Sequence, residues 1–269
     1  MLGASRESLA RQTDALDARR HSAGFDGLAG ELFAVASLLE REHQLRMALA
    51  DSGQPLGVRE GLVREILGGK VSDLAVAVMV EIVAERWSND DDLLAAIEQL
   101  ADQAVFTAAE ADGTLDATDD ELFRFGRTLD QSPELQMALT SPAQPSATKS
   151  AIVHDLLDGR STGATRQVLE YAVGHLHGQR IDAVVDHLCD LAARQRRRVI
   201  AEVRVASPLD AEQSRRLADV LSRLKGRTVR LNVAVDPTVL GGVHVKVGDE
   251  VIDGTVAAKL EQARRVVLS

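Results

Sequence analysis

Apolar and polar positions alternate along this chain with two different periods. Over most of its length the apolar residues recur at three- and four-residue steps, as in Leu28 to Leu39 and again in Leu122 to Leu129. That is the spacing of a helix with one buried face. Near the end the period drops to two. Val229-Arg230-Leu231-Asn232-Val233-Ala234-Val235 and Val243-His244-Val245-Lys246-Val247 read as half-buried strands, and a third β-like run, Val199 to Val205, precedes them. Ser207-Pro208 has the chemistry of a helix start, with Ser as cap and Pro at a permitted first position, for a helix to about Leu224. A short amphipathic helix is predicted after Gly254. The fold class is therefore mainly α, with a small α/β (α+β) C-terminal unit.

The helical part repeats itself after ninety residues. Glu31-Leu32-Phe33 returns as Glu121-Leu122-Phe123, and Leu45-Arg46-Met47-Ala48-Leu49 as Leu135-Gln136-Met137-Ala138-Leu139. Gln54-Pro55 returns as Gln144-Pro145, and Leu62 to Leu67 matches Ile152 to Leu157. The prolines break helices by removing a donor and restricting the residue before them. Gly68-Gly69 and Asp158-Gly159 close the following helix. A helix from about Asp91 to Ala111 ends the first copy and precedes the second, so it can serve both. The predicted organisation is two tandem helical bundles, residues 1–112 and 91–198, sharing a central helix, then an α/β unit over residues 199–269.

Composition narrows this further. Aromatic residues are only 3% of the 269, against 45% hydrophobic, so aliphatic side chains must fill the cores. A net charge of −10 argues against binding a nucleic-acid backbone. The single cysteine, Cys189, rules out an intrachain disulfide. No run approaches the roughly 18–20 apolar residues that span a bilayer; the best, Leu74 to Val80, is far shorter. The first residues lack a signal peptide's basic start and apolar core. The expectation is a cytosolic chain with no direct membrane insertion. From Asp90 to Glu121 there is no Lys or Arg among ten acidic residues before Glu121. Two readings stand: a solvated face whose acids suit helix N-termini, or a docking surface for a basic partner.

Motifs for chemistry fail on spacing. Gly68-Gly69-Lys70 lacks the earlier glycine of a phosphate loop, where Arg64 stands, and Val71 replaces the magnesium-binding Ser/Thr. Leu240-Gly241-Gly242 lacks the third glycine of a dinucleotide fingerprint and reads as a bend between strands. Glu110 to Asp119 misses the first and last ligands of a calcium loop. His175 and His177, two apart, would point to different faces of a helix, and with His187 and Cys189 they meet no structural zinc spacing. No catalytic residue, cofactor or metal site is predicted.

The last forty residues carry a family resemblance. The alternating run to Val235, Asp236-Pro237, Leu240-Gly241-Gly242, the second alternating run, Gly248, and Val251-Ile252-Asp253-Gly254 resemble the C-terminal signature of the F-type ATP synthase delta subunit, the oligomycin sensitivity conferring protein family. Gly241, Gly242, Gly248, Asp253 and Gly254 are its signature and turn residues here. Residues 91–198 are similar to that family's N-terminal helical bundle, while the extra copy resembles longer bacterial versions. The family's typical Tyr-Ala is absent from both Ala4 to Leu16 and Leu93 to Phe106.

The resemblance implies a non-catalytic stator subunit. Its bundle would receive N-terminal segments of the alpha subunit, and its C-terminal unit the C-terminal helix of the b subunit. The place implied is the cytoplasmic face of a bacterial cell membrane, reached through the complex. It also implies that the second copy docks the alpha subunit, between the Thr165–His177 helix and the shared helix, with the first copy as a brace. The alternative is a tandem helical adaptor for another multiprotein complex.

Overall fold

The computed structural model describes residues 1, 3–197, 199–225, 229–236, 241–247 and 250–253. The chain forms two compact units, Met1–Gln195 and Arg196–Ser269. The first is helical. Its helices are α1 (Ala4–Ala18), α2 (Phe25–Arg41), α3 (His43–Ala50), α4 (Leu56–Leu67), α5 (Asp73–Ala84), α6 (Asp90–Ala111), α7 (Leu115–Gln131), α8 (Pro133–Thr140), α9 (Ser146–Leu157), α10 (Gly163–Gly174) and α11 (Ile181–Arg197). The bounds of α2 to α5 recur ninety residues later in α7 to α10 at every helix end.

The same local chemistry sets those ends in both copies. Pro55 and Pro145 precede α4 and α9 with extended ψ values of 135° and 143°. Gly69 and Gly159 follow these helices at φ 71° and 64°, a region that costs other residues strain. Gly68 has φ −54°, so its counterpart can be Asp158, at φ −60°. Ser72 and Thr162 cap α5 and α10 by accepting from Ala75 N and Thr165 N.

A buried-side glutamate then holds each cap. Glu31 accepts from Ser72 N at 2.7 Å and Ser72 Oγ at 2.6 Å. Glu121 accepts from Thr162 N at 2.8 Å and Thr162 Oγ1 at 3.0 Å, and also from Thr165 Oγ1 at 2.6 Å. A carboxylate at a helix N-terminus also meets the positive end of the helix dipole. The ninety-residue repeat thus extends to tertiary hydrogen bonds, not only to helix lengths.

One apolar core runs through this unit, from Leu9 to Ala192. Helix α6 lies at its centre, packing against α1, α2, α3 and α5 and also against α7 and α10. Leu93, Leu94, Ala96, Ile97, Leu100, Ala101 and residues 103–107 are buried, so only a narrow stripe of α6 stays open. Asn89 caps it, accepting from Asp92 N at 2.7 Å. A polar layer crosses the core beside it: Gln103 donates to Gln195, Gln195 to Glu110, and Arg20 pairs with Glu110.

The second unit holds β1 (Val199–Val205), α12 (Ala211–Lys225), β2 (Val229–Val235), β3 (Val243–Val247) and β4 (Glu250–Asp253). The sheet order is β2-β1-β3-β4. β1 and β2 are parallel, which requires a crossover, and α12 supplies it. β3 pairs antiparallel with β1 and β4. Ala201, Val203, Val205, Val229 and Val245 bury one face with Leu221 of α12.

One sequence expectation needs correction here. Helix α12 starts at Ala211, not at Ser207-Pro208. Asp210 is its cap, with Gln213 N donating to Asp210 Oδ1 at 2.7 Å and Asp210 N donating to Gln213 Oε1 at 3.0 Å. That reciprocal pair satisfies two helix-end groups at once, which Ser207 does not do. Gly241 and Gly242 stand between β2 and β3, strands that are not neighbours in the sheet because β1 separates them. The predicted helix after Gly254 lies outside the described residues.

Two stability outcomes follow from these contacts. Glu121→Ala or Glu31→Ala strips charge-assisted bonds from a cap, and each should cost about 1–3 kcal/mol in urea unfolding. Gly242 sits at φ 82°, so Gly242→Val should destabilise the second unit by roughly 1–3 kcal/mol, read by circular dichroism.

Candidate functional site

The two copies use matching helices in opposite ways. At the ninety-residue offset α1 corresponds to α6, and α5 to α10. Between α1 and α5 the surface is sealed by polar contacts. Arg11 Nε donates to Glu85 at 3.0 Å, Arg19 pairs with Glu81, Ser8 Oγ donates to the Arg86 carbonyl at 3.0 Å, and Ser5 bonds Ser88 at 3.0 Å. The Arg11 hydrogen bond holds the Glu85 carboxyl below the usual range, against the opposing effect of its burial.

In the second copy the equivalents of Glu81 and Glu85 are Tyr171 and His175, and those of Ser8 and Gln12 are Glu98 and Asp102. No arginine on α6 can close this surface, because the helix has none. A cleft of about 430 Å³ lies there instead. Ala95, Glu98, Gln99 and Asp102 of α6 line it with Tyr171 and Ala172 of α10 and with His175 and His177 just past that helix; Arg6 and Leu9 of α1 and Val184, His187, Leu188 and Arg194 of α11 also contribute. Its mixed wall, apolar with a few convergent polar groups, suits an amphipathic segment.

The electrostatics of the cleft are strained at Asp102. Burial pushes its carboxyl well above the usual carboxylate range, and Glu98 one helical turn away adds to the shift. Glu98 itself is engaged: Tyr171 Oη donates to it at 2.8 Å and His177 Nε2 approaches to 2.9 Å. Burial, with Glu98 alongside, pushes the Tyr171 phenol far up, so it remains a donor. Burial lowers His187.

The histidine pair departs from its sequence reading. Helix α10 stops at Gly174, so His175 and His177 are not on a helix. His177 takes a left-handed φ of 48°, followed by Gly178 at 76°. The turn brings both rings to Glu40 of α2, at 3.5 Å for His175 Nε2 and 3.4 Å for His177 Nδ1. His175 Nδ1 lies 2.9 Å from the Tyr171 carbonyl, which only accepts, so this nitrogen carries a proton. Its Nε2 lies 3.0 Å from Ser37 Oγ. Phe33, Tyr171 and His175 stack in series, at centroid distances of 4.1 and 4.0 Å. The repeat held the missed signal: His177 occupies the position of Trp87, past the end of α5.

Much of the acidic stretch also proves to be internally paired. Arg46 Nε donates to Asp90 at 2.8 Å and its Nη2 to Asp91 at 3.0 Å; Glu110 pairs with Arg20, and Glu121 holds a cap. Some of these acids are thus tertiary partners, while Asp90, Asp91 and Asp92 also stand in the first turn of α6 and Asp116 in that of α7, as expected of acids at helix N-termini. Among the described residues no group of three or more His, Cys, Asp or Glu is arranged to hold a metal. Burial pushes the Cys189 thiol up to about 11, away from reactive thiolate.

Comparison with known proteins fixes the family. The model for the ATP synthase delta (OSCP) subunit matches residues 101–267. A protein of Parafrankia sp. described as ATP synthase subunit delta is 45% identical over 98% of this chain and 99% of its own length. The chain belongs to the ATP synthase delta (OSCP) subunit family. Its members are peripheral-stalk subunits of the F-type ATP synthase. Proteins of the same description from Streptomyces avermitilis, at 43% identity over 99% of this chain and 98% of theirs, and Streptomyces coelicolor, at 43% over 100% and 99%, also match end to end. The delta family thus includes full-length relatives that align over the first copy as well, although the family model itself begins inside α6.

Of the signature residues, Gly241 and Gly242 have φ 123° and 82° before β3, and Asp253 ends β4 in register with His244. Gly248 and Gly254 lie outside the described residues. No helix among the described residues is long and apolar enough to cross a membrane.

A pH test isolates Asp102. A carboxyl whose folded pKa is raised destabilises the fold once pH passes its unfolded value, near 3.9. Asp102→Asn should therefore raise the melting temperature at neutral pH, with the gain vanishing below about pH 4. A thermal-melt series across pH measures it.

Proposed function

We propose that this delta-family chain is a non-catalytic clamp of the ATP synthase stator, and that its second copy docks an N-terminal helix of the alpha subunit in the cleft beside α6. The observation that carries the docking assignment is the contrast between the copies. The α1–α5 surface is closed by Arg11–Glu85 and Arg19–Glu81, whereas its counterpart at α6–α10 is open over about 430 Å³. An amphipathic helix binds by laying its apolar face into such a groove. Tyr171, Ala172 and Leu188 offer the apolar contact, and Glu98 and Gln99 the polar rim.

The division into bundles 1–112 and 91–198 with α6 in common supports the same reading. Load taken up in the cleft passes into a helix buried by both copies. The first copy is then a brace. For the second unit we assign the C-terminal helix of the b subunit as partner. Val220 and Leu224, one turn apart on α12, are 55% and 66% exposed and give that helix an apolar strip to meet. Attachment at two places raises effective concentration, so neither contact needs to be tight. Membrane association, at the cytoplasmic face, comes through the complex.

Titrating the full chain with a peptide of the alpha subunit's N-terminus tests the assignment. Ala95 is exposed on α6 in the cleft, and Ala77 is exposed on α5. Ala95→Trp should weaken binding tenfold or more, about 1.4 kcal/mol, while Ala77→Trp leaves it unchanged. The opposite result moves the docking site to the first copy.

A further inference from the structure

We propose that His177 is a proton-operated clasp between the two copies: its imidazolium bridges Glu40 on α2 to Glu98 on α6, and the bridge is lost when the ring becomes neutral. The arrangement suits a doubly protonated ring, hydrogen-bonded to one carboxylate and charge-paired with the other. Nε2 lies 2.9 Å from Glu98 Oε1 and Nδ1 lies 3.4 Å from Glu40 Oε1. Carboxylates only accept, and a neutral imidazole has a single N–H. A neutral His177 can therefore serve one carboxylate and must turn a lone pair toward the other.

The backbone places the ring for this task. His177 is the only non-glycine residue at positive φ among the described residues, at 48°. The left-handed turn after α10 carries the ring across to α2, in the first copy. Gln179 N–H closes this turn on the Leu176 carbonyl at 2.8 Å, and the turn so closed sets the ring between the two carboxylates.

The surrounding charges favour the imidazolium. Glu40 on α2 and Glu98 on α6 attract it, and Tyr171 on α10 donates to Glu98 without competing for the proton. Arg46 on α3 opposes it, but is itself paired with Asp90 and Asp91. His175, beside it, also faces Glu40; Asp102 and Arg6 line the same cleft as the ring. The Glu98 hydrogen bond is the largest influence and raises His177 above the ordinary imidazole value, against its partial burial. The clasp is then fully present below about pH 6.5, the unfolded value, and is lost as pH rises through the higher folded value. The switch therefore lies on the neutral-to-alkaline side.

His177 and Glu98 themselves line the cleft, but the clasp is read in the free chain, so the test needs no partner and its failure is distinct from failure of the docking assignment. Amide hydrogen exchange of residues 176–180 is followed in the full chain between about pH 6 and 8.5, with intrinsic exchange divided out. Tyr171 is the one tyrosine of the chain, so labelled tyrosine gives a single ring signal from the same place. Protection in the wild type should fall about two- to fivefold across this range, the scale of a half-exposed ion pair. The Tyr171 signal should titrate with the same midpoint. His177→Asn keeps a residue that tolerates left-handed backbone but cannot titrate; it should show the low protection at every pH. Glu40→Gln should shrink the wild-type change. Constant protection in the wild type, or an undiminished fall in His177→Asn, overturns the proposal.

Discussion

The burial of α6 on nearly all sides is the constraint from which the rest of the helical unit follows. A helix of 22 residues spans about 33 Å at 1.5 Å per residue. Here it supplies the last helix of one copy and the first of the next. A helix so enclosed cannot be amphipathic in the usual sense. Its sequence shows this: Leu93, Ile97, Leu100 and Ala104 face one way, while Ala96, Gln103 and Phe106 are equally buried. Ala96, Ala101, Ala104 and Ala109 are interspersed among larger aliphatic residues and let neighbouring helices approach closely. The polar atoms that this forces inside, on Gln103 and Thr107, are answered by Gln195 and Asp17, since an unanswered buried polar group is costly.

The open stripe of α6 is as informative as its buried faces. Ala95, Glu98, Gln99 and Asp102 are what remains after both copies have taken their share. Where the first copy spends Arg11 and Arg19 on sealing α1 to α5, the second leaves Asp102 without such a partner and tolerates its raised pKa.

Much of the fold could be read from the residues. Pro55 and Pro145, Gly69 and Gly159 act locally, and local rules locate helix ends well. The alternating runs from Val199, Val229 and Val243 gave the strands, though not their order, because adjacency in a sheet depends on where the crossover helix packs. Ser207-Pro208 misled because proline fits both a first turn and an extended lead-in; the reciprocal Asp210–Gln213 bonds decide the start. The site was much less legible. The Asp90–Glu121 acids were visible as charges, but their partners Arg46, Arg20 and Thr162 come from elsewhere in the chain. His177 falls beyond Gly174, where the helical period stops in the structure although apolar residues continue to Leu176.

The shared helix also has a historical consequence. Tandem duplications are usually reversible, since one repeat can be deleted and the other left whole. Here a deletion that removes either copy takes α6 or its packing surface from the survivor. Removing either copy from this chain would leave apolar faces of α6 uncovered, since helices of both pack against it.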